Sequence, residues 1–224
     1  MEYTLEKRIW TDADFEQMGW HDCRIYSTRL AEDLALDIDY IIKWNKPELE
    51  GLPFTFWVAP ATLVFKRIKN MEFDIDTAFS EAVEIDNIER VVADDKTTWV
   101  IDTQQGFFEF ECDGYEQFIR QEPFYQFGQT IPFIERNGSS LERTINQVNT
   151  NRQRDDVLER RKKGLEDYEN AQKRHVVRQE KEALTIAKEN NEIDLKAYLI
   201  KKREITEKLE YYDYWLNGTD FEKW

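Results

Sequence analysis

Two pairs of aspartates are the residues whose spacing points most directly to chemistry. Asp37 and Asp39 form one pair, and Asp74 and Asp76 form the other. Each pair lies two residues apart in an alternating apolar–polar segment, which places both carboxylates on one outward face of a β-strand. Close carboxylates bind Mg²⁺ or act as an acid–base pair, as in metal-dependent phosphoesterases and nucleases. The simpler interpretation, which we favour, is the polar face of a half-solvated sheet.

A second group of reactive side chains begins at His21. His21, Asp22 and Cys23 supply a base, a carboxylate and a thiol. Adjacent residues of a strand point to opposite faces, so His21 and Cys23 can share a face but Asp22 cannot. A cysteine nucleophile needs an electropositive setting that lowers the pKa of its thiol, whereas this part of the chain is acidic. We therefore predict a structural role for this segment.

A metal site could be built on His21 in two ways. His21 could combine with Cys23 and Cys112, or with Asp37 and Asp39. No paired ligand spacing typical of a metal motif accompanies either set. The sequence also has no P-loop, dinucleotide-binding, nucleophile-elbow or zinc-protease motif. We therefore predict no metal, no other cofactor and no catalytic residue.

The most basic stretch of the chain lies at 152–163. Its six cationic side chains are Arg152, Arg154, Arg160, Arg161, Lys162 and Lys163. Nucleic-acid binding favours a patch of a single sign, and Asp155, Asp156 and Glu159 interrupt this one. We interpret the stretch as a solvated helix with charge pairs four residues apart, and we do not expect it to bind nucleic acid directly.

An aromatic cluster near the end of the sequence is a further candidate. Tyr211, Tyr212 and Trp215 stand close together in a half of the chain that has few aromatic residues. The end of a chain is ordered mainly when its side chains pack against the rest of the protein. We therefore expect the cluster either to dock on the first half of the chain or to form a contact patch for a partner.

The elements that must position these residues are strands in the first 134 residues. Alternating or short apolar runs predict strands at 24–30, 34–42, 54–58, 62–65, 71–76, 83–86, 98–102 and 107–112. The strand at 54–58 is expected to end at Pro60. The connections are too short for helices between parallel strands, which favours an antiparallel meander, sandwich or partly closed barrel. Short helices are predicted at 12–18 and 113–120.

The remaining 90 residues are typical of a charged helical hairpin. From 139 to 190 the chain has one glycine and no proline, and Ser139 stands three residues before Glu142, the spacing of a capping box. We predict a helix over this range, either continuous or broken in the polar stretch 146–156, then a turn at Asn190–Asn191 and a second helix over 192–216. The predicted fold class is α+β, with an antiparallel β-sheet domain followed by a C-terminal helical hairpin.

Charge follows the same division. The chain carries 46 acidic and 31 basic side chains, a formal charge of −15. Residues 1–134 hold 27 acidic and 12 basic side chains, whereas 135–224 hold 19 of each. All of the excess negative charge therefore belongs to the first part. We predict an acidic β-rich domain at 1–134 and a charged helical hairpin extension at 135–224.

Composition excludes several classes of protein. No apolar run approaches the roughly 18–20 residues that span a bilayer, so we expect no membrane association. Two cysteines are too few for a disulfide framework, which favours a reducing cytoplasm. Aromatic residues make up 14% of the chain, which excludes a disordered acidic polymer.

Three segments, at 19–23, 36–44 and 56–65, together resemble uncharacterised bacterial families of small acidic β-rich proteins. Some of these families belong to toxin-immunity or other conflict systems. The likeness lies within residues 10–120 and implies no catalytic residue. The helical part of the chain falls outside it.

Charge and resemblance together predict a non-enzymatic bacterial or phage interaction protein whose acidic β-domain binds a basic protein partner. The candidate contact residues are Asp37, Asp39, Asp74, Asp76, Tyr211, Tyr212 and Trp215. The helical extension would form a second contact or a homo-oligomer. One alternative is a metal-dependent phosphoesterase or nuclease that uses the strand carboxylates. Another is a DNA-mimic inhibitor, which needs acids spaced along one elongated face.

Overall fold

The structure is a computed structural model that describes residues 3–76, 82–93 and 96–224. Its strands are β1 (Ile9–Thr11), β2 (Cys23–Leu30), β3 (Leu34–Asn45), β4 (Thr55–Phe65), β5 (Lys69–Ile75), β6 (Val83–Ala93), β7 (Lys96–Thr103), β8 (Gly106–Glu111), β9 (Tyr115–Ile119) and β10 (Phe124–Gln126). Its α-helices are α1 (Phe133–Arg136), α2 (Asp155–Glu189) and α3 (Leu195–Leu216), and 3-10 turns lie at Asp12–Gln17 and Thr150–Gln153. The predicted α+β class is confirmed.

All strand pairs are antiparallel, and the strands follow the order β1-β9-β4-β3-β2-β6-β7-β8-β5, with β10 also paired to β4. Within the described residues this path does not close, so β1 and β5 are its two edges. Hairpin neighbours such as β2–β3 and β7–β8 give the meander that the short connections predict. The long strands β3 and β4 lie in the middle of the sheet and are buried over most of their length.

Aromatic side chains dominate the main core on one face of the sheet. Trp99, Tyr115 and Phe65 are buried there. The ring centroids of Trp99 lie 5.7 Å from Tyr115 and 5.3 Å from Phe65, both edge-to-face. Such pairs add about 0.5–1.5 kcal/mol to the burial of apolar area. This packing holds the strands of the first unit in place, so side chains on the other face of the sheet have fixed positions.

The two compact units of the chain do not divide where the sequence predicted. The first comprises Met1–Asn45 and Phe54–Gln153, and the second comprises Lys46–Pro53 and Arg154–Trp224. The predicted boundary at 134 is too early because the chain after α1 stays bound to the sheet. With the observed division, the first unit has 27 acidic and 14 basic side chains, a net charge of −13.

The chain from Ser139 to Asn149 is not helical, which corrects the predicted helix start and its capping box. The backbone N–H of Gln147 donates to the carbonyl of Arg120 (3.0 Å), and the Thr62 hydroxyl donates to the carbonyl of Glu142 (2.8 Å). The sheet satisfies these backbone groups, which a helix would have satisfied internally. The helix α2 begins only at Asp155.

Pro60 lies inside β4 rather than at the end of a strand. Proline has no N–H and is tolerated where a strand lacks a neighbour. On the edge of β4 that faces away from β3, β10 pairs with residues 56–58 and β9 pairs with residues 61–65. Pro60 therefore lies in the break between these two partner strands. Its carbonyl still accepts from the backbone N–H of Arg120 (3.0 Å). The two predicted strands are therefore one.

The helix predicted at 113–120 is also wrong, because Tyr115–Ile119 forms β9 between β1 and β4. The alternation of buried and half-buried residues along β9 is that of a strand with one face on the core. The helix predicted at 12–18 is a 3-10 turn over Asp12–Gln17.

The second unit contains the predicted hairpin. The helices α2 and α3 join through a turn at Asn190 and Asn191, and Asp194 caps α3 by accepting from the backbone N–H groups of Lys196 and Ala197. Val177, Leu184 and Ile205 form a small core between the helices. None of the helices in the described residues is long and apolar enough to cross a membrane.

Candidate functional site

Asp37 and Asp39 are fully buried, which corrects the prediction that they face outward. They project from β3 away from the aromatic core, and the chain between Ile131 and Asn149 covers them. The backbone N–H of Ile131 donates to Asp39 Oδ2 (2.7 Å), and that of Ser140 donates to Asp37 Oδ2 (2.8 Å). Both faces of β3 are therefore buried at this point, one by the core and one by this covering segment.

Two buried arginines neutralise the aspartates. Arg136 donates from Nη1 to Asp37 Oδ2 (2.8 Å) and from Nε to Asp39 Oδ1 (2.9 Å), and it also binds Asp37 Oδ1. Arg120 Nη2 donates to Asp37 Oδ1 (2.5 Å), and its Nη1 donates to the Thr62 hydroxyl (2.6 Å). All four charged side chains are at most 1% exposed. Together Asp37, Asp39, Arg120 and Arg136 form the buried ion cluster.

The electrostatics of the buried ion cluster follow from burial and pairing. Burial raises the pKa of Asp39, while Arg136, the Ile131 amide and the Tyr26 hydroxyl act in the opposite direction. Burial lowers the pKa of Arg120, with Asp37 opposing it. For Arg136 burial also acts downward, but the carboxylates outweigh it and the pKa is raised. The guanidinium groups remain charged throughout the usual pH range.

Neighbouring polar groups complete the cluster. The Tyr26 hydroxyl donates to Asp39 Oδ2 (2.8 Å). Gln147 Oε1 accepts from Arg120 Nε (3.2 Å) and from Gln121 Nε2 (2.9 Å). Because the carboxylates are used by arginines and backbone amides, the cluster has no open position for a ligand. Its chemistry is that of a clamp holding the covering segment to β2, β3 and β4.

His21, the third member of the alternative metal set, lies elsewhere. Its side chain is 61% exposed, and its Nδ1 lies 2.9 Å from the carbonyl of Asp86. That hydrogen bond, opposed by burial and aided by the charges of Asp22 and Asp86, raises the pKa of His21. No group of three or more potential metal-ligating side chains occurs in the part of the chain that the structure describes. The aspartates and His21 are therefore not brought together.

The two cysteines are poor nucleophiles. Cys23 is completely buried, and burial raises the pKa of its thiol to about 12. Burial likewise raises the pKa of Cys112 to about 11, and its Sγ lies 3.5 Å from the carbonyl of Gly114. Both thiols are protonated near neutrality, which is consistent with the structural role predicted for Cys23.

Tyr211, Tyr212 and Trp215 lie on α3. The indole Nε1 of Trp215 donates to Asp167 Oδ1 on α2 (3.0 Å), and Tyr212 packs against the small core between the helices. Tyr211 is 56% exposed. Part of this cluster therefore stabilises the hairpin itself.

An acidic surface forms on the sheet strands β5, β8, β7 and β6. Its six members, called here the acidic face, are Glu72, Asp74, Glu89, Asp102, Glu109 and Glu111. Four of them are exposed, whereas Asp102 and Glu111 are half-buried. They alternate along their strands with core residues such as Ile101, Phe108 and Phe110, so they point to the opposite side of the sheet. This is where the structure places the predicted Asp74. Asp76 follows β5, and its backbone N–H donates to the carbonyl of Gln105 (2.8 Å).

Strand register aligns the acidic face into rows. Glu72 lies directly opposite Glu109, Glu109 opposite Val100, and Val100 opposite Glu89. Residues directly opposite on adjacent antiparallel strands have Cβ atoms about 4.5–5.5 Å apart. Glu72 and Glu109 are therefore a like-charge pair in direct contact range.

Two lysines compensate this surface, both at Glu111. Lys69 lies directly opposite Glu111 in the strand register, and Lys96 lies 3.6 Å from it. The pKa of Glu111 is lowered, chiefly by the hydrogen bond from Asn70 (2.9 Å) and also by the two lysines. Among the residues that the structure describes, none of the other five members of the acidic face forms an ion pair, although Glu89 accepts from Asn87 Nδ2 (3.1 Å). The face is thus concentrated negative charge held on rigid strands.

Sequence reasoning missed both arginines of the buried ion cluster and most of the acidic face. Arg120 and Arg136 lie 83 and 99 residues from Asp37 along the chain, and no local pattern links them. The alternation of Phe108, Glu109, Phe110 and Glu111 was visible in the sequence. It could have placed two further carboxylates on the solvent side of the same sheet.

No protein-family model and no curated protein matches this chain. Among solved structures, it is similar to the crystal structure of an uncharacterized protein from Neisseria gonorrhoeae. The two chains are 13% identical, and the alignment covers 50% of this chain and 97% of the other, with a TM-score of 0.30. A likeness this weak supports no functional conclusion.

Proposed function

We propose that this chain is a non-enzymatic interaction protein that binds a basic protein partner through the acidic face. Six of the 27 acidic side chains of its first unit, whose net charge is −13, lie there on one side of the sheet. Complementary charge speeds encounter and suppresses wrong partners. The resemblance to bacterial conflict families makes a toxin with a nucleic-acid-binding groove the class of partner that we expect.

The cross-strand pair of Glu72 and Glu109 is the observation that carries this proposal. Like charges directly opposite on a sheet destabilise the fold by roughly 0.2–1 kcal/mol. A lysine at either position would remove this cost and form an ion pair. In the same unit, the charges of the buried ion cluster balance each other, whereas this surface pair lowers stability. Residues that lower stability in this way are typical of a binding surface.

The arrangement of the acidic face favours this function over the two alternatives. Its carboxylates are spread over four strands, about 14 Å across, rather than gathered around one point as metal ligands are. A DNA mimic needs charge at the density of a duplex, about one per 1.7 Å of helix axis. Six carboxylates in this compact area match only about 10 Å of duplex at that density. A compact basic surface is the better complement.

The test compares two quadruple variants of the full chain. The face variant carries Glu72→Gln, Asp74→Asn, Asp102→Asn and Glu109→Gln. The matched control carries Glu159→Gln, Glu169→Gln, Glu180→Gln and Glu189→Gln, four exposed positions on α2. Both variants change the net charge by the same amount, so a difference between them reports position rather than total charge.

Immobilised wild-type chain is first exposed to a lysate of the native host at low salt, and captured proteins are identified by mass spectrometry. Each is then purified and titrated calorimetrically with the three forms of the chain. We expect a basic protein whose affinity falls about tenfold or more with the face variant, while the control variant binds like wild type. Equal weakening by both variants, or the absence of any basic partner, would refute the proposal.

A further inference from the structure

The edge strand β5 has one apolar face and one acidic face. It pairs with β8 on one side, and within the described residues no strand pairs with its other side. Unpaired N–H and C=O groups at such an edge are a template for another strand. All seven residues of β5 are exposed or half-buried, so its free edge is accessible along its length.

One face of β5 continues the aromatic core. Phe73 lies directly opposite Phe108, and their rings stack with centroids 6.4 Å apart. Phe108 is buried, whereas Phe73 remains 62% exposed because no further strand covers it. Met71 and Ile75, two residues to either side, are half-buried and pack against the same core. An added strand with apolar side chains on this face would extend the core outward.

The other face of β5 belongs to the acidic face. Glu72 and Asp74 point to this side, next to Glu109 on β8. A strand added at the free edge would place its outward side chains beside Glu72 and Asp74, with Glu109 one strand further away. Lysine or arginine at those positions would form the cross-strand ion pairs that Glu72 and Asp74 lack among the described residues.

The same charges oppose pairing with a second copy of this chain. An antiparallel β5–β5 pair centred on Phe73 would set Glu72 of one copy opposite Asp74 of the other, in both directions. Like charges at an edge strand are a known device against self-association. Charge repulsion therefore disfavours pairing of β5 with a second copy of β5, whereas a basic strand would be attracted to the same edge.

We infer that β5 captures its partner by strand addition, and that the captured segment is an extended basic peptide alternating basic and apolar residues. This inference rests on the proposed function and names how the acidic face is used. Main-chain hydrogen bonds would supply affinity, and the two faces of β5 would read alternate side chains.

The experiment uses the full chain and synthetic eight-residue peptides with blocked ends. The probe alternates lysine and valine, and a composition control has four lysines followed by four valines. Two further probes keep the alternating sequence but carry N-methyl groups on alternate backbone nitrogens, one on each edge of the extended peptide. Strand addition uses one edge of a peptide, whereas electrostatic adsorption uses neither.

We expect the alternating peptide to bind at least about tenfold more tightly than the composition control. We also expect one N-methylated probe to lose about tenfold or more in affinity, equivalent to two lost backbone hydrogen bonds, while the other binds normally. The double variant Glu72→Gln/Asp74→Asn should lower the affinity for the alternating peptide. The α2 double variant Glu180→Gln/Glu189→Gln should leave that affinity unchanged.

Equal binding by both N-methylated probes would overturn strand addition while leaving the acidic face as an electrostatic docking surface. Failure of every alternating peptide to bind better than the block peptide would also overturn it. The proposed function fails separately, if no basic protein distinguishes the quadruple face variant from its control.

Discussion

Asp37 and Asp39 on β3 share their spacing with Glu72 and Asp74 on β5, yet the two pairs have opposite surroundings. The first pair is completely buried and neutralised by two arginines. The second is exposed and has no ion pair among the described residues. Identical local patterns can therefore serve as an internal clamp or as an external charged surface.

Position in the sheet decides between the two outcomes. The strand β3 lies in the middle of the sheet, and a segment of later chain crosses its polar face. The strand β5 lies at an edge, and its polar face is open. A carboxylate pair on a strand therefore indicates a site only when it is known what covers that face of the strand.

The largest expected effect comes from breaking the clamp. Arg136→Met removes the guanidinium that binds both Asp37 and Asp39 and leaves buried carboxylate charge uncompensated. Removing one partner of a buried ion pair typically costs about 3–5 kcal/mol. We expect a loss of this size in the free energy of unfolding, measured by urea denaturation.

The matched control is Arg143→Met, which removes a partly exposed arginine of the same covering segment from its ion pair with Asp33. Exposed pairs contribute about 0–1 kcal/mol, so this variant should unfold near the wild-type midpoint. If Arg136→Met lowers the free energy of unfolding by less than about 1 kcal/mol, the buried ion cluster does not hold the covering segment on the sheet.

A smaller effect of opposite sign is expected on the acidic face. Glu109→Gln removes the like-charge contact with Glu72 and should raise the free energy of unfolding by roughly 0.2–1 kcal/mol. The gain should shrink in high salt, which screens exposed charges. Urea denaturation at low and high salt measures both. A destabilised variant would mean that Glu109 makes a favourable contact, which would remove the main support for a binding role.

Much of this fold could be predicted from the sequence, because alternation reports which strands have one face on a core. The hairpin of β2 and β3, the strands β7 and β8, and the helical hairpin followed from local pattern alone. The covering segment could not be predicted, because Ser140 and Gln147 find their hydrogen-bond partners on distant strands. Likewise, the contact between Glu72 and Glu109 depends on a register shift between Lys69 and Glu72 that no local pattern reveals.

The smallest effect concerns pH. The hydrogen bond to the Asp86 carbonyl, together with nearby carboxylates, raises the pKa of His21. A raised pKa in the folded chain means that the stabilisation is complete below the ordinary value of 6.5 and is lost as the pH rises through the folded value. His21→Gln should therefore be relatively more destabilising at pH 5 than at pH 8.5.

This effect is small because the His21 side chain is largely exposed. An NMR titration of the imidazole resonances, assigned with the variant, gives its pKa directly. A midpoint below 6.5 would show that the Asp86 contact does not hold the protonated ring.

Hydrogen exchange along the full chain, with and without the basic partner identified by capture, tests directly whether the acidic face is the binding surface. If the acidic face is the binding surface, amides of β5, β8 and β7 become slower to exchange on binding, while those of β3 and of the covering segment do not change. Slowing confined to α2 and α3, with no change in β5 and β8, would contradict the central claim.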